Sequence, residues 1–186
     1  LKLVRQRVEG ATINDVCLTI VAECMRRYLQ AKHALPKESL VTAVPISTRT
    51  PEQAKAGGNQ ISVTFVELRT DIVDPIERLA AIAAETRQKK AVQAGVVMSV
   101  LLDVVHNLPG AVIGAAAQAA PIVLSNAKVF CHTMVTNVPG PQFPLYCLGR
   151  EMIEHRPFVP ISHGVRVGTA ILSYNGNLSF GVTGDF

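Results

Sequence analysis

From Ile13 to Leu29 apolar side chains recur at spacings of three and four: Ile13, Val16, Cys17, Ile20, Val21, Cys24, Met25, Tyr28, Leu29. That period predicts an amphipathic helix over residues 12 to about 33. Thr12 and Asp15 stand in capping-box spacing at its start, and Pro36 follows its end. The pattern then changes. Residues 40–46 form an apolar run suited to a strand buried on both faces, and 60–69 read as a second strand. Asp74 with Pro75 opens a helix to about residue 92, with Ile76, Leu79, Ala80, Ile82 and Ala83 inward. Strands are predicted at 128–137, 145–153, 164–174 and 178–183. Asn175-Gly176 is a hairpin signal, because a type I′ turn needs positive φ at both central residues.

Between the second helix and the last strands lies a long apolar stretch, residues 92–125. Within it, residues 108–124 carry one polar side chain, Gln118, and are rich in Ala and Gly, bounded by prolines and slightly short for a membrane span. Buried or interface helices, contact with a membrane surface, and a true span all stay open for it. The element order predicts an α/β fold, a mixed β-sheet flanked by helices. The 186 residues suit one domain. Leu1 to Arg5 alternate, so residues 1–11 read as a strand or a linker between lobes. The two ends suggest a piece of a larger protein.

The net charge is +4, and the 18 Lys and Arg residues are scattered. No aromatic ladder interleaves with them, which argues against a nucleic-acid partner. The four cysteines have no metal-ligand spacing and read as reduced thiols of a cytoplasmic protein. The five histidines fall in no catalytic or metal pattern, and His132 reads as structural. Neither a nucleophile elbow nor a P-loop occurs. No catalytic residue, metal or resident cofactor is therefore assigned to the chain.

Three polar clusters remain as candidate chemistry. Asn14-Asp15 opens the first helix, where capping and site-lining roles both stay open. Pro45-Ile46-Ser47-Thr48-Arg49 puts a hydroxyl and a guanidinium just past a strand, where open α/β sheets often meet ligands. Asn137-Val138-Pro139-Gly140-Pro141 reads as a rigid loop after a strand, with Pro139-Gly140 at the centre of a type II turn.

Together with Gly58-Asn59-Gln60 and the closing Leu172-Ser173-Tyr174-Asn175-Gly176 with Phe180, these blocks carry a resemblance. In order and spacing the chain resembles the C-terminal part of the bacterial bifunctional wax ester synthase/acyl-CoA:diacylglycerol acyltransferases (WS/DGAT). The resemblance implies one lobe of a chloramphenicol-acetyltransferase-like two-lobed enzyme, with a tunnel between the lobes. It implies acyl transfer from acyl-CoA, a co-substrate, to a long-chain alcohol or diacylglycerol. The base would be the second histidine of an HHxxxDG motif in the N-terminal lobe, which these residues lack. Residues 1–186 would supply the opposite tunnel wall. The implied substrate-binding residues are Asn14, Asp15, Arg49, Asn59, Asn137, Val138, Pro139, Gly140 and Pro141. Arg49 and the group Arg87, Lys89 and Lys90 are candidate partners for CoA phosphates. The implied partners are the N-terminal lobe of the same protein and a membrane or lipid-inclusion surface, with cytoplasmic, peripheral placement. Two other readings stay open: a non-catalytic lipid-surface or subunit-docking module, and a condensation-type acyltransferase lobe with another acceptor.

Overall fold

A computed structural model of the chain describes residues 1–47, 61–93, 131–161 and 165–185. Local signals in the sequence act where they stand. Thr12 Oγ1 accepts from Asp15 N–H at 3.3 Å, and Asp15 Oδ2 accepts from Thr12 N–H at 2.7 Å, closing the capping box. Helix α2, Ile13–Ala31, follows. It is preceded by a short helix α1, Lys2–Arg5. The opening residues are thus not a strand. Arg5 N–H bonds to Leu1 O at 3.0 Å, and neither Leu3 nor Val4 is buried. An alternating run with no neighbouring strand satisfies its backbone locally instead.

Strands β1, Val41–Ser47, and β2, Ile61–Glu67, form an antiparallel pair. Helix α3, Pro75–Gln93, begins where Asp74 Oδ1 accepts from Ile76 and Glu77 N–H at 2.8 and 2.9 Å. Its buried face is Arg78, Leu79, Ile82, Ala83 and Thr86. Ile76 is exposed, as is Ala80, contrary to the sequence expectation. Arg78 takes the inward register. It is fully buried, donates to the Ile72 and Val73 carbonyls, and pairs with Glu23 of α2 at 2.8 Å. Apolar periodicity cannot anticipate an arginine that is buried because three oxygens wait for it.

Strand β3 runs Thr133–Pro139, later than expected. Residues 145–153 are not one strand. They fold into a two-stranded arm, β4 (Tyr146–Cys147) and β5 (Arg150–Glu151), reversed at Leu148-Gly149, both with positive φ. Strands β6, Val167–Tyr174, and β7, Asn177–Gly184, form the predicted hairpin, with φ of 43° at Asn175 and 80° at Gly176. Nearly all of the apolar stretch 92–125 lies outside the described residues.

The main sheet has the order β2-β1-β3-β6-β7, with β1, β3 and β6 parallel and the outer two antiparallel to their neighbours. One face packs on α2 and α3 through Cys17, Leu18, Val21, Val44, Val66, Ile82, Val135 and Ile171. Burial in that core raises the Cys17 thiol to about 11, so it stays protonated and inert. The helices also tie down the β2 edge. Glu85 Oε1 accepts from Glu67 N–H at 3.0 Å and from Lys89 Nζ at 2.7 Å, and Arg69 reaches Glu85 Oε2 at 3.1 Å. Burial opposes the charge on Glu85. Lys89, the Glu67 N–H and Arg69 outweigh it and hold the carboxyl below 4.5. A carboxyl depressed on folding stabilises the fold above its unfolded value and loses that contribution as pH falls through the folded one. Glu85→Gln is therefore expected to cost about 1 kcal/mol at pH 7, the scale of one such hydrogen bond. The difference from the parent should shrink as pH falls below 4.5. Urea midpoints at pH 7 and at successively lower pH below 4.5 check this. A difference that grows on acidification contradicts it.

Candidate functional site

Because β1, β3 and β6 run parallel, their carboxyl ends meet at one edge of the sheet, at Ser47, Pro139 and Tyr174. In α/β sheets this is where ligands approach, since the chain leaves the strands there through loops free to carry chemistry. The amino end of α2 arrives at the same edge. Asn137 Nδ2 donates to Asn14 Oδ1 at 3.2 Å, joining two predicted site residues that are 123 positions apart. Both side chains are half-buried. Asn137 pairs in register with the core residue Ile171, which sets its side chain on the helix-covered face.

Asp15 has another task. It is 1% exposed, and besides Thr12 N–H its carboxylate accepts from Thr12 Oγ1 at 2.7 Å and Thr86 Oγ1 at 2.8 Å. All three donors are protein groups, so Asp15 pins α2 to α3 and faces no solvent. Of the two roles left open for it, the structure shows the fold-keeping one.

The stretch Asn137 to Pro141 is less of a loop than its sequence suggests. Asn137, Val138 and Pro139 are the last three residues of β3, and Gly140 lacks the positive φ that a type II turn needs. Glycine is required there for a different reason. A Cβ at Gly140 would fall inside the contact shell of the Ser173 carbonyl oxygen, a backbone atom of β6. The close approach lets Gly140 N–H donate to Ser173 Oγ at 3.1 Å. Gln142 Nε2 then bonds Gly140 O and Ser173 Oγ, while Gln142 Oε1 accepts from Gly176 N–H at 3.1 Å. Asn175 N–H closes on Pro141 O at 3.0 Å. The segment is thus stitched to the β6–β7 turn. Val138, 52% exposed, and Pro139 stand on the open surface beside it.

Sequence reasoning did not single out Ser173, Gln142 or the hydroxyl of Tyr174 for these contacts. The Tyr174 side chain is buried, and its hydroxyl accepts from Leu145 N–H at 2.8 Å and donates to Met152 O at 2.7 Å, anchoring the β4–β5 arm. The only usable signal was a tyrosine before Asn-Gly, where a surface turn has no need of one. His132 is structural: its Nδ1 accepts from Val41 N–H at 2.9 Å and its own N–H donates to Val41 O, joining β3 to β1. Lys89 is committed to Glu85 and to the Phe65 carbonyl, and Arg87 donates to Glu9 O while covering Gly10. Arg87 is exposed and its remaining guanidinium donors are open to solvent, whereas Lys89 is half-buried. Arg49 and Asn59 lie outside the described residues, and Lys90 has no described side chain. Among the described residues no group of histidine, cysteine or acidic side chains is arranged to hold a metal.

Residues 57–186 match the family model of the WS/DGAT C-terminal domain. The chain belongs to the WS/DGAT family. This WS/DGAT domain is 34% identical over 178 residues to a putative diacylglycerol O-acyltransferase of Mycobacterium tuberculosis, covering 94% of this chain and 35% of that protein. It is 31% identical over 176 residues to the probable diacylglycerol O-acyltransferase tgs1 of the same species, covering 94% of this chain and 37% of that protein. Among solved structures it is similar to the wax ester synthase/diacylglycerol acyltransferase from Marinobacter aquaeolei VT8, with a TM-score of 0.69 and 28% identity over 99% of this chain and 40% of that one. The WS/DGAT chain thus spans little more than a third of the curated relatives it matches. The matched model is that of the C-terminal domain of the family protein. No helix of the described residues is long and apolar enough to cross a membrane.

Proposed function

We propose that this domain forms one wall of the substrate tunnel of an acyl-CoA-dependent O-acyltransferase that makes triacylglycerol or wax esters. The observation that carries the reading is the Asn137–Asn14 contact at the carboxyl edge of the parallel strands, beside a segment held rigid by Ser173 and Gln142. In the reaction, the acceptor hydroxyl oxygen bonds to the thioester carbonyl carbon and its proton passes to a base. The carbon–sulfur bond then breaks, and CoA leaves as the thiol once its sulfur regains a proton. The domain contributes no base of its own. It contributes shape and fixed dipoles: the Asn137 and Asn14 amides are held by each other and by their elements, so they can orient a carbonyl or hydroxyl without reorganising. The exposed Phe143, Tyr146, Leu148 and Ile153 of the arm give the apolar surface that lipid substrates, or the lipid phase holding them, would cover.

Asn137→Ala in the full-length protein is expected to lower kcat/KM with acyl-CoA and diacylglycerol at least tenfold, about the 1.4 kcal/mol of one hydrogen bond. Tm should shift by only about 2–4 °C, because the residue is half-buried and makes one side-chain hydrogen bond among the described residues. Steady-state kinetics with hexadecanol and diacylglycerol as alternative acceptors check it. Unchanged kinetics with a lowered Tm would leave Asn137 a structural residue and remove the support for this reading.

A further inference from the structure

The two edges of the sheet are finished differently. At the β2 edge, side chains of α3 occupy the outward backbone groups: Lys89 Nζ donates to Phe65 O and Glu85 accepts from Glu67 N–H. At the β7 edge nothing comparable occurs among the described residues. The two-residue turn at Asn175-Gly176 fixes which β7 residues bond inward. Asn177, Ser179, Gly181 and Thr183 exchange bonds with β6, a pattern continued by Asp185 N–H to Arg166 O at 2.9 Å. Leu178, Phe180 and Val182 therefore point their N–H and C=O groups outward, and among the described residues the strand order ends there. Natural sheets blunt such an edge with charges, proline or a bulge. Strand β7, Asn177–Gly184, contains no charged residue and no proline, and its register runs unbroken. Phe180 is 40% exposed and Val182 69% exposed. Beside the edge runs an open groove of about 530 Å³, its far side formed by Glu154, Arg156, Pro157 and Phe158. Gly181 admits the Pro157 carbonyl so closely that a Cβ would collide with it, which fixes that wall.

We infer that β7 is a docking edge that receives an extended segment from the N-terminal part of the same polypeptide as an additional, sixth strand of the five-stranded sheet. This rests on the reading of the chain as a C-terminal domain with an N-terminal partner. More than half of the length of the family proteins lies outside the 35% to 40% that this chain matches, so the occupant is tethered and at high effective concentration. The groove also states the chemistry of that segment. Glu154 and Arg156 pair with each other at 2.9 Å, so the wall carries no net charge. Phe158, Phe180 and Val182 offer apolar surface to alternate side chains of a neutral strand.

Amide hydrogen exchange of the full-length polypeptide tests the inference. The Phe180 and Val182 amides are expected to exchange within about tenfold of the inward-bonded Ser179 and Gly181, as ladder amides opening in one unit do. Val182→Pro, which removes one outward donor, should raise exchange at Phe180 by at least about tenfold while the β6 amides stay protected. Exchange at Phe180 and Val182 near the unprotected rate in the full-length protein overturns the inference. So does protection that appears only at concentrations where light scattering finds a dimer, since a second copy is then the occupant. Exchange does not depend on turnover, so protected amides in a protein without acyltransferase activity would reject the proposed function and leave the docking edge intact.

Discussion

Asp15→Ala is expected to lower the unfolding free energy by about 3 kcal/mol, more than any other single truncation of a polar side chain at the site. The carboxylate is 1% exposed and receives the Thr12 N–H, the Thr12 hydroxyl and the Thr86 hydroxyl. Loss of a helix cap alone costs about 1 kcal/mol. The variant also removes the acceptor of the Thr12 N–H and of the Thr12 and Thr86 hydroxyls, and each lost bond costs about 0.5–1.5 kcal/mol, least for Thr86, whose hydroxyl keeps Ala83 O at 3.2 Å. Asp15→Asn keeps the shape and one acceptor oxygen, so about half the loss should return. The urea midpoint should fall with the slope unchanged, because the same surface is exposed on unfolding. A loss under about 1 kcal/mol would show that the α2–α3 junction does not depend on this carboxylate. The functional consequence follows from position: Asn14 precedes Asp15 on the first turn of α2, so loosening the cap also releases the partner of Asn137.

Gly140→Ala carries the second large effect, and here activity should fall further than stability. The added methyl group meets a backbone oxygen, Ser173 O, which has no side-chain rotation by which to yield. The carboxyl end of β3 must move, by an amount of order 1 Å, and a shift of that size at a reacting centre costs about a hundredfold in rate. The full-length variant should therefore keep its fold, with a stability loss of about 1–3 kcal/mol from overpacking. Its kcat/KM should drop about a hundredfold. Gly184→Ala is the control. Its Cβ would meet nothing within 4 Å, so neither stability nor rate should change. Equal, near-parent kinetics in both variants would contradict the placement of the site at this edge.

What the sequence made legible is what local chemistry decides. The Thr12–Asp15 box, the Asp74-Pro75 helix start and the Asn175-Gly176 turn each satisfy their own backbone within a few residues, so their signatures hold in any fold. What failed was decided across the chain. Arg78 is buried because Glu23, 55 positions away, and two carbonyls receive it, and no periodicity records that. By sequence Gly140 reads as a turn glycine, yet its need comes from β6, 33 positions later. The arm at β4 and β5 is anchored by a tyrosine hydroxyl from β6 that strand propensity cannot see. In the candidate site the residue types and their order were readable, and the pairing of Asn14 with Asn137 was not. Asp15 could be read as cap or ligand until the Thr86 hydroxyl was placed beside it.

The central claim is that these residues shape an acyltransferase site whose base lies elsewhere in the polypeptide. Ester formation from palmitoyl-CoA with hexadecanol or diacylglycerol should be measured for the 186-residue chain alone and after mixing with the separately produced N-terminal part of a family member. The account predicts no product from the chain alone and restored turnover in the mixture, abolished when the mixed N-terminal part lacks its HHxxxDG histidines. Robust turnover by the 186 residues alone would contradict it.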